Sequence, residues 1–187
     1  MKNLNFLFAG LFLTIALPFG GLLLSSQIQL GSLSRAPAEE GGPLFPAREP
    51  GLAIQGRAVY RELGCVACHT QQVRPAGQGS DIARGWGSRP SVARDYVLQP
   101  QVLLGERRLG PDLANFGARA KSDDDIHALL RDPHSAGYSL QKPDFAYLYV
   151  LSADGKKARP TERAVALVAY LKSLRQDYAS PEAKLKQ

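Results

Sequence analysis

Methionine is almost missing from this chain: among 187 residues the only one is Met1. Cysteine is scarce too, with two copies, as are tryptophan, with one, and histidine, with three. Each scarcity closes off some chemistry. Cys65 and Cys68 cannot staple a fold, because a disulfide between them would close too short a loop to stabilise much. No second Cys/His pair stands at the spacing of a structural zinc site. The strand–helix context of a thioredoxin-like dithiol is not visible around Cys65. Neither a nucleophile elbow nor a phosphate-binding glycine loop occurs. Acidic residues are the minority, 17 against 23 basic, for a net charge of +6. Such a balance raises nucleic acid as a partner, but no helix-turn-helix pattern, zinc spacing or aromatic–basic RNA signature accompanies it. An acidic protein partner or anionic lipid suits the charge better.

Charge is absent altogether from Asn3 to Ser34. Within that stretch the apolar run Leu4 to Leu24 is long enough to cross a hydrocarbon core of about 30 Å as a helix. Pro18 and Gly20-Gly21 would weaken a soluble helix but are tolerated in a bilayer. A cleaved secretory signal is the competing reading. The run is longer than a typical signal core, and no clear cleavage site follows it, which favours an uncleaved anchor over residues 1–30. The next segment, residues 31–50, holds four prolines and three glycines and reads as a tether.

What the chain does have is Cys65-Val-Ala-Cys68-His69. A C-x-x-C followed directly by His marks a site for covalent haem c. Two thiols form thioethers with the haem, and the adjacent imidazole is the first axial iron ligand. The motif occurs once, which implies one haem. It also sets orientation, since haem c is attached outside the cytoplasm; the positive-inside bias is weak here, with Lys2 on one side of the apolar run and Arg35 and Arg48 on the other.

Around the motif the periodicity is helical. Leu52 to Gly64 predicts a helix, and Gly56 in its middle predicts a close crossing by another helix. Residues 71–109 show no strong period and leave room for one or two short helices; Trp86 there could cover a haem edge or fill core. Ser122 is a good cap for a helix carrying Asp123 to Asp125 in its first turn and Ile126, Leu129 and Leu130 on its apolar face, stopped by Asp132-Pro133. Pro160 to Tyr178 predicts the last helix, with Thr161 as cap and Ala164, Leu167, Val168 and Leu171 as its buried stripe. Residues 179–187 read as a frayed tail. The outline is all-α: an anchor, a tether, a haem domain over residues 51–178 and a tail.

These pieces resemble class I cytochrome c domains. Gly56 to Tyr60 is similar to that family's first helix, Gly110 to Ala120 ("GPDLANFGARA") to its G-P-x-L segment, and "VALVAYLKSL" to its last helix. The resemblance implies that the Pro111 carbonyl accepts the Nδ1–H of His69, strengthening the imidazole as a ligand. A narrower resemblance covers the chain from the anchor to about Tyr149. Gly56 to Pro75 fits G-R-x-x-Y-x-x-x-G-C-x-x-C-H-x-Q-x-x-R-P, and Arg108 to Gly117 fits R-x-G-P-D-L-x-x-x-G. That pattern is similar to the monohaem cytochrome c subunit of cbb3-type haem–copper oxidases. It implies an electron carrier held in the bacterial inner membrane by one helix, with its haem domain on the periplasmic side. Its partners would be the oxidase catalytic subunit and an electron-donating cytochrome or quinol-oxidising complex.

One departure matters. Relatives carry Met-Pro where this chain reads "SLQKPDFAYLY", Ser139 to Tyr149, so Lys142 stands at the expected distal methionine. A neutral Lys142 amine could ligate the iron, because burial and a metal both favour loss of its proton. His134 is an alternative, His127 a weaker one, and an open site a fourth. With an open site the chain would bind gases or peroxide instead of simply relaying electrons. A free-standing tethered cytochrome is a further alternative to an oxidase subunit.

Overall fold

The structure, a computed structural model, describes residues 2–120, 122–133, 144–152 and 158–185. His134 and Lys142 lie outside the described residues. The chain divides into two compact units, Met1–Arg35 and Ala36–Gln187.

The first unit is one run of helix. Helix α1, Lys2–Phe19, passes through a wider π turn at Gly20–Leu24 into α2, Ser25–Leu30. The π turn follows Pro18, which has no N–H for the helical ladder and crowds the preceding turn. Asn3–Leu30 is long and apolar enough to cross a membrane, and Phe6 and Ile28 are about four-fifths exposed within the chain. The few hydroxyls satisfy themselves locally: Thr14 Oγ1 donates to the Leu11 carbonyl at 2.8 Å and Ser26 Oγ to that of Leu22 at 2.6 Å. Hydrocarbon offers no other partner for such groups.

The second unit is built on two crossed helices, α3 (Gly51–Glu62) and α6 (Glu162–Ser173). A Cβ on Gly56 would stand 1.9 Å from the Ala166 carbonyl oxygen, so the crossing forbids any side chain there. Ala53, Val59 and Tyr60 of α3 bury against Ala164, Leu167, Val168, Tyr170 and Leu171 of α6. Gly117 of α4 (Phe116–Arg119) makes the same kind of approach to the Lys172 carbonyl. Helix α5, Asp123–Arg131, starts at Ser122, whose hydroxyl accepts from Asp125 N at 3.1 Å, and buries Ile126 and Leu130. Two small antiparallel ladders complete the unit: β1 (Ala36–Pro37) with β2 (Leu44–Phe45), and β3 (Tyr149–Leu151) with β4 (Ala158–Pro160).

Three details differ from the sequence reading. The last helix stops at Ser173, short of Tyr178. Beyond it the backbone turns to other partners: Gly117 N donates to Leu174 O at 3.0 Å, and Gln176 N to Asn115 Oδ1 at 2.7 Å. Residues 36–50, expected only to tether, take part in the second unit. Phe45 stacks on Tyr178 with ring centroids 4.3 Å apart, and Glu49 pairs with Arg57 at 2.5 Å. Proline stops a helix but does not stop a side chain from packing. Residues 179–182, expected in a frayed tail, are held instead: Ser180 is buried and Arg94 Nε donates to Glu182 Oε1 at 2.6 Å. That contact holds the Glu182 carboxyl down to about 2.

Candidate functional site

Helix α3 ends at Glu62, capped by Leu63, and Gly64 reverses the chain at φ +71°, a conformation that favours glycine. The next residues, Cys65–Ala67, form one tight 3₁₀ turn closed by Cys68 N donating to Cys65 O at 3.2 Å, and His69 N donates to the same oxygen at 2.9 Å. Both thiols are therefore presented from a single turn, half-buried and unpaired with each other. Burial, aided by the neighbouring Cys68, pushes the Cys65 thiol up to about 11. A redox-active dithiol needs the opposite shift, toward a thiolate at neutral pH.

From His69 the chain runs extended beside residues 104–113. Gln71 N donates to Leu104 O at 3.1 Å, Gly110 N to Cys68 O at 2.9 Å and Leu113 N to Thr70 O at 2.8 Å. In the middle of this seam His69 Nδ1 lies 2.9 Å from the Pro111 carbonyl oxygen. A carbonyl can only accept, so the proton sits on Nδ1 and the imidazole lone pair on Nε2. Two glycines make room for the ring and its backbone. A Cβ on Gly110 would stand 2.3 Å from His69 Cε1, and one on Gly105 would stand 2.2 Å from His69 O. Gly105 also has φ +87°.

The loop after Pro75 folds back on a buried ion cluster. Asp81 is fully buried; Arg74 reaches it at 2.9 Å and Arg108 at 2.7 Å, while Arg74 N also donates to it at 2.8 Å. Burial pushes the Asp81 carboxyl up, but the Arg74 hydrogen bonds and both guanidinium charges outweigh it and hold it at about 2. Sequence reading singled out neither Asp81, Asp112, Gly105 nor Gly110 for this work. The signal was partly there, in Arg74, Arg108, Gly110 and Asp112 of the quoted motifs, but Asp81, in an aperiodic loop, has no local mark of burial.

Of the residues picked from sequence, the structure brings Cys65, Cys68, His69 and Pro111 together. His127 is engaged elsewhere: its Nδ1 is 2.9 Å from Tyr149 Oη, and the two rings meet edge to face. Burial lowers its pKa, against the opposing charges of Asp123 and Asp124. Trp86 is half-buried under the Arg84 guanidinium, 5.1 Å from the ring centroid, and belongs to no core cluster. Among the described residues no group of three or more His, Cys, Asp or Glu could hold a metal ion. The donor set that exists is two thiols and one tautomer-fixed imidazole within five residues, which fits a single haem.

A family model for the mono-haem subunit of cytochrome c oxidase, FixO, matches residues 48–171. The chain belongs to this family. No curated protein matches it. As a FixO-family subunit it is a haem-containing electron-transport protein of a cytochrome c oxidase, with one haem. Its mostly helical unit agrees with an all-α cytochrome c domain, and its N-terminal apolar helix with a membrane-anchored subunit. The matched range begins at 48 and so takes in the whole seam from Cys65 to Leu113.

Proposed function

We propose that this FixO-family subunit relays electrons to the catalytic subunit of a cbb3-type haem–copper oxidase through one covalently bound haem c. The observation that carries the reading is the His69 Nδ1–Pro111 O contact of 2.9 Å beside the two thiols of Cys65 and Cys68. Cys65 and Cys68 would form the thioethers and His69 Nε2 would ligate the iron, with the Pro111 carbonyl holding the ring. The group they hold supplies a reversible one-electron couple. Neither proton transfer nor bond chemistry is asked of the protein. The anchor, residues 1–30, sits in the bacterial inner membrane and the haem domain, residues 51–178, faces the periplasm. The electron donor is a cytochrome or a quinol-oxidising complex, and the net charge of +6 suits an acidic one.

The sixth position separates this reading from its rival. Met1 is the only methionine, so no thioether stands beside Pro143. Lys142 is the proposed distal ligand, with His134 the alternative. A nitrogen donor favours ferric iron, so the midpoint potential falls below that of a Met-ligated relative. The test is the reduced spectrum of the full-length, haem-loaded protein with and without CO, followed by a redox titration. An unchanged spectrum and a low potential support the relay with a protein ligand in place. Ready CO binding would instead mean an open or weakly held site, and gas or peroxide chemistry becomes the better reading. A potential at the usual His/Met level would overturn the nitrogen ligand.

A further inference from the structure

We propose that Asp112 is a positioning residue for the proximal ligand: its buried carboxylate bolts the Pro111 carbonyl to the His69 backbone and so sets the strength of the Nδ1 hydrogen bond. The inference rests on the reading of His69 as the iron ligand.

Asp112 is fully buried, and its carboxylate bridges the two sides of the seam. Oδ2 accepts from Thr70 Oγ1 at 2.7 Å and from Gln72 N at 2.8 Å, both some forty residues away in sequence. Oδ1 accepts from Ala114 N at 2.9 Å. Arg108 Nη1 stands 3.8 Å from Oδ2, and Arg119 Nη2 donates to the Asp112 backbone carbonyl. Thr70 directly follows His69, and Asp112 directly follows Pro111. The carboxylate therefore grips the residue next to each partner of the Nδ1–H···O bond.

A local turn explains only part of this. The bond to Ala114 N is the ordinary Asx pattern, side chain to backbone two residues on. The bonds to Thr70 and Gln72 serve no turn. The backbone bonds Gly110 N to Cys68 O and Leu113 N to Thr70 O already bring the segments together. The carboxylate adds to them bonds that any shear of the seam would have to break. Its charge strengthens them, since charge-assisted bonds are roughly twice as strong as neutral ones. Partners one step removed from a metal commonly tune it through the ligand they orient.

The test uses the full-length, haem-loaded protein and three variants: Asp112→Asn, Thr70→Val and Thr70→Ser. Thr70→Val removes one hydroxyl from the carboxylate without emptying the site, and Thr70→Ser restores it. The readouts are hydrogen exchange of the His69 Nδ1 proton by NMR and the midpoint potential. A weakened Nδ1 bond makes the imidazole a poorer donor, so the potential rises. We expect roughly tenfold faster exchange in Asp112→Asn, the scale of losing one charge-assisted bond, a smaller acceleration in Thr70→Val, and wild-type behaviour in Thr70→Ser. The potential should rise in the same order. Unchanged exchange and potential in Thr70→Val, with haem bound, would overturn the proposal even where Asp112→Asn fails to fold. A wild-type chain with no thioether-linked haem in its pyridine haemochrome spectrum would instead overturn the electron-relay reading on which it stands.

Discussion

Where α3 crosses α6 the contact is apolar, and its tightness comes from backbone lying against backbone at Gly56. Between residues 69 and 115 much of the chain is exposed, but its buried points are held by charge: Asp81 and Asp112 are both fully buried, each within reach of Arg108. The first region needs only correct shape and would tolerate exchange among apolar side chains of similar volume. The second depends on every donor and acceptor being matched, because a buried charge without its partner costs far more than a lost methyl group. Cys65, Cys68 and His69 thus stand between a scaffold of shape and a scaffold of charge. The stiff polar side is the one that carries Pro111, the partner of the His69 imidazole.

The comparison can be broken first at Gly56. Gly56→Ala places a Cβ 1.9 Å from the Ala166 carbonyl, so the helices must part along their length. A loss of about 3 kcal/mol is expected, the upper end for overpacking, read as a lower denaturation midpoint of the haem-loaded protein. A loss below about 1 kcal/mol would mean that the crossing is not the rigid part of the fold.

The charged region should respond to pH where the crossing does not. The Asp81 carboxyl lies at about 2 when folded against 3.8 ordinarily. A depressed carboxylate stabilises the fold at pH above its unfolded value, and that stabilisation fades as pH falls from about 4 through about 2. The shift corresponds to about 2 kcal/mol. Asp81→Asn should remove a similar amount at pH 7 and flatten the acid limb of the stability curve, while Gly56→Ala should leave that limb's shape unchanged. An Asp81→Asn protein with the wild-type acid limb would show that Arg74 and Arg108 do not act through Asp81.

A smaller effect is expected at Ser122, where one exposed hydroxyl caps α5. Ser122→Ala should cost about 1 kcal/mol, with no change in the haem spectrum. A spectral change there would mean that α5 is coupled to the iron site more tightly than its one cap suggests.

How much of this could be read beforehand depended on the kind of signal. Cys65, Cys68 and His69 lie within five residues, so the expectation of haem c could be read from five letters. Pro111 came only from a family resemblance, and the 2.9 Å contact to His69 agrees with the geometry that resemblance implied. Gly56 was legible as a close crossing because a glycine inside a helical period has no other purpose. The end of α6 was not legible: nothing between Ser173 and Tyr178 breaks the helical pattern, and only the competing bonds to Asn115 and Gly117 stop it. Phe45 was missed for the reverse reason, since prolines around it masked a ring that finds Tyr178 far along the chain.

The sequence by itself determined the apolar N-terminal helix, the single C-x-x-C-H motif, the helices α3, α5 and α6, the buried stripe of α6, and the lack of a methionine near Pro143. These are local properties of spacing and composition, complete within one turn or one period. Only the tertiary structure decided that Asp81 and Asp112 are buried, that Arg108 stands within reach of both, and that Thr70 and Asp112 are tied across the seam. An aspartate is written the same way whether it faces water or three donors. Burial is a property of what the rest of the chain brings to it.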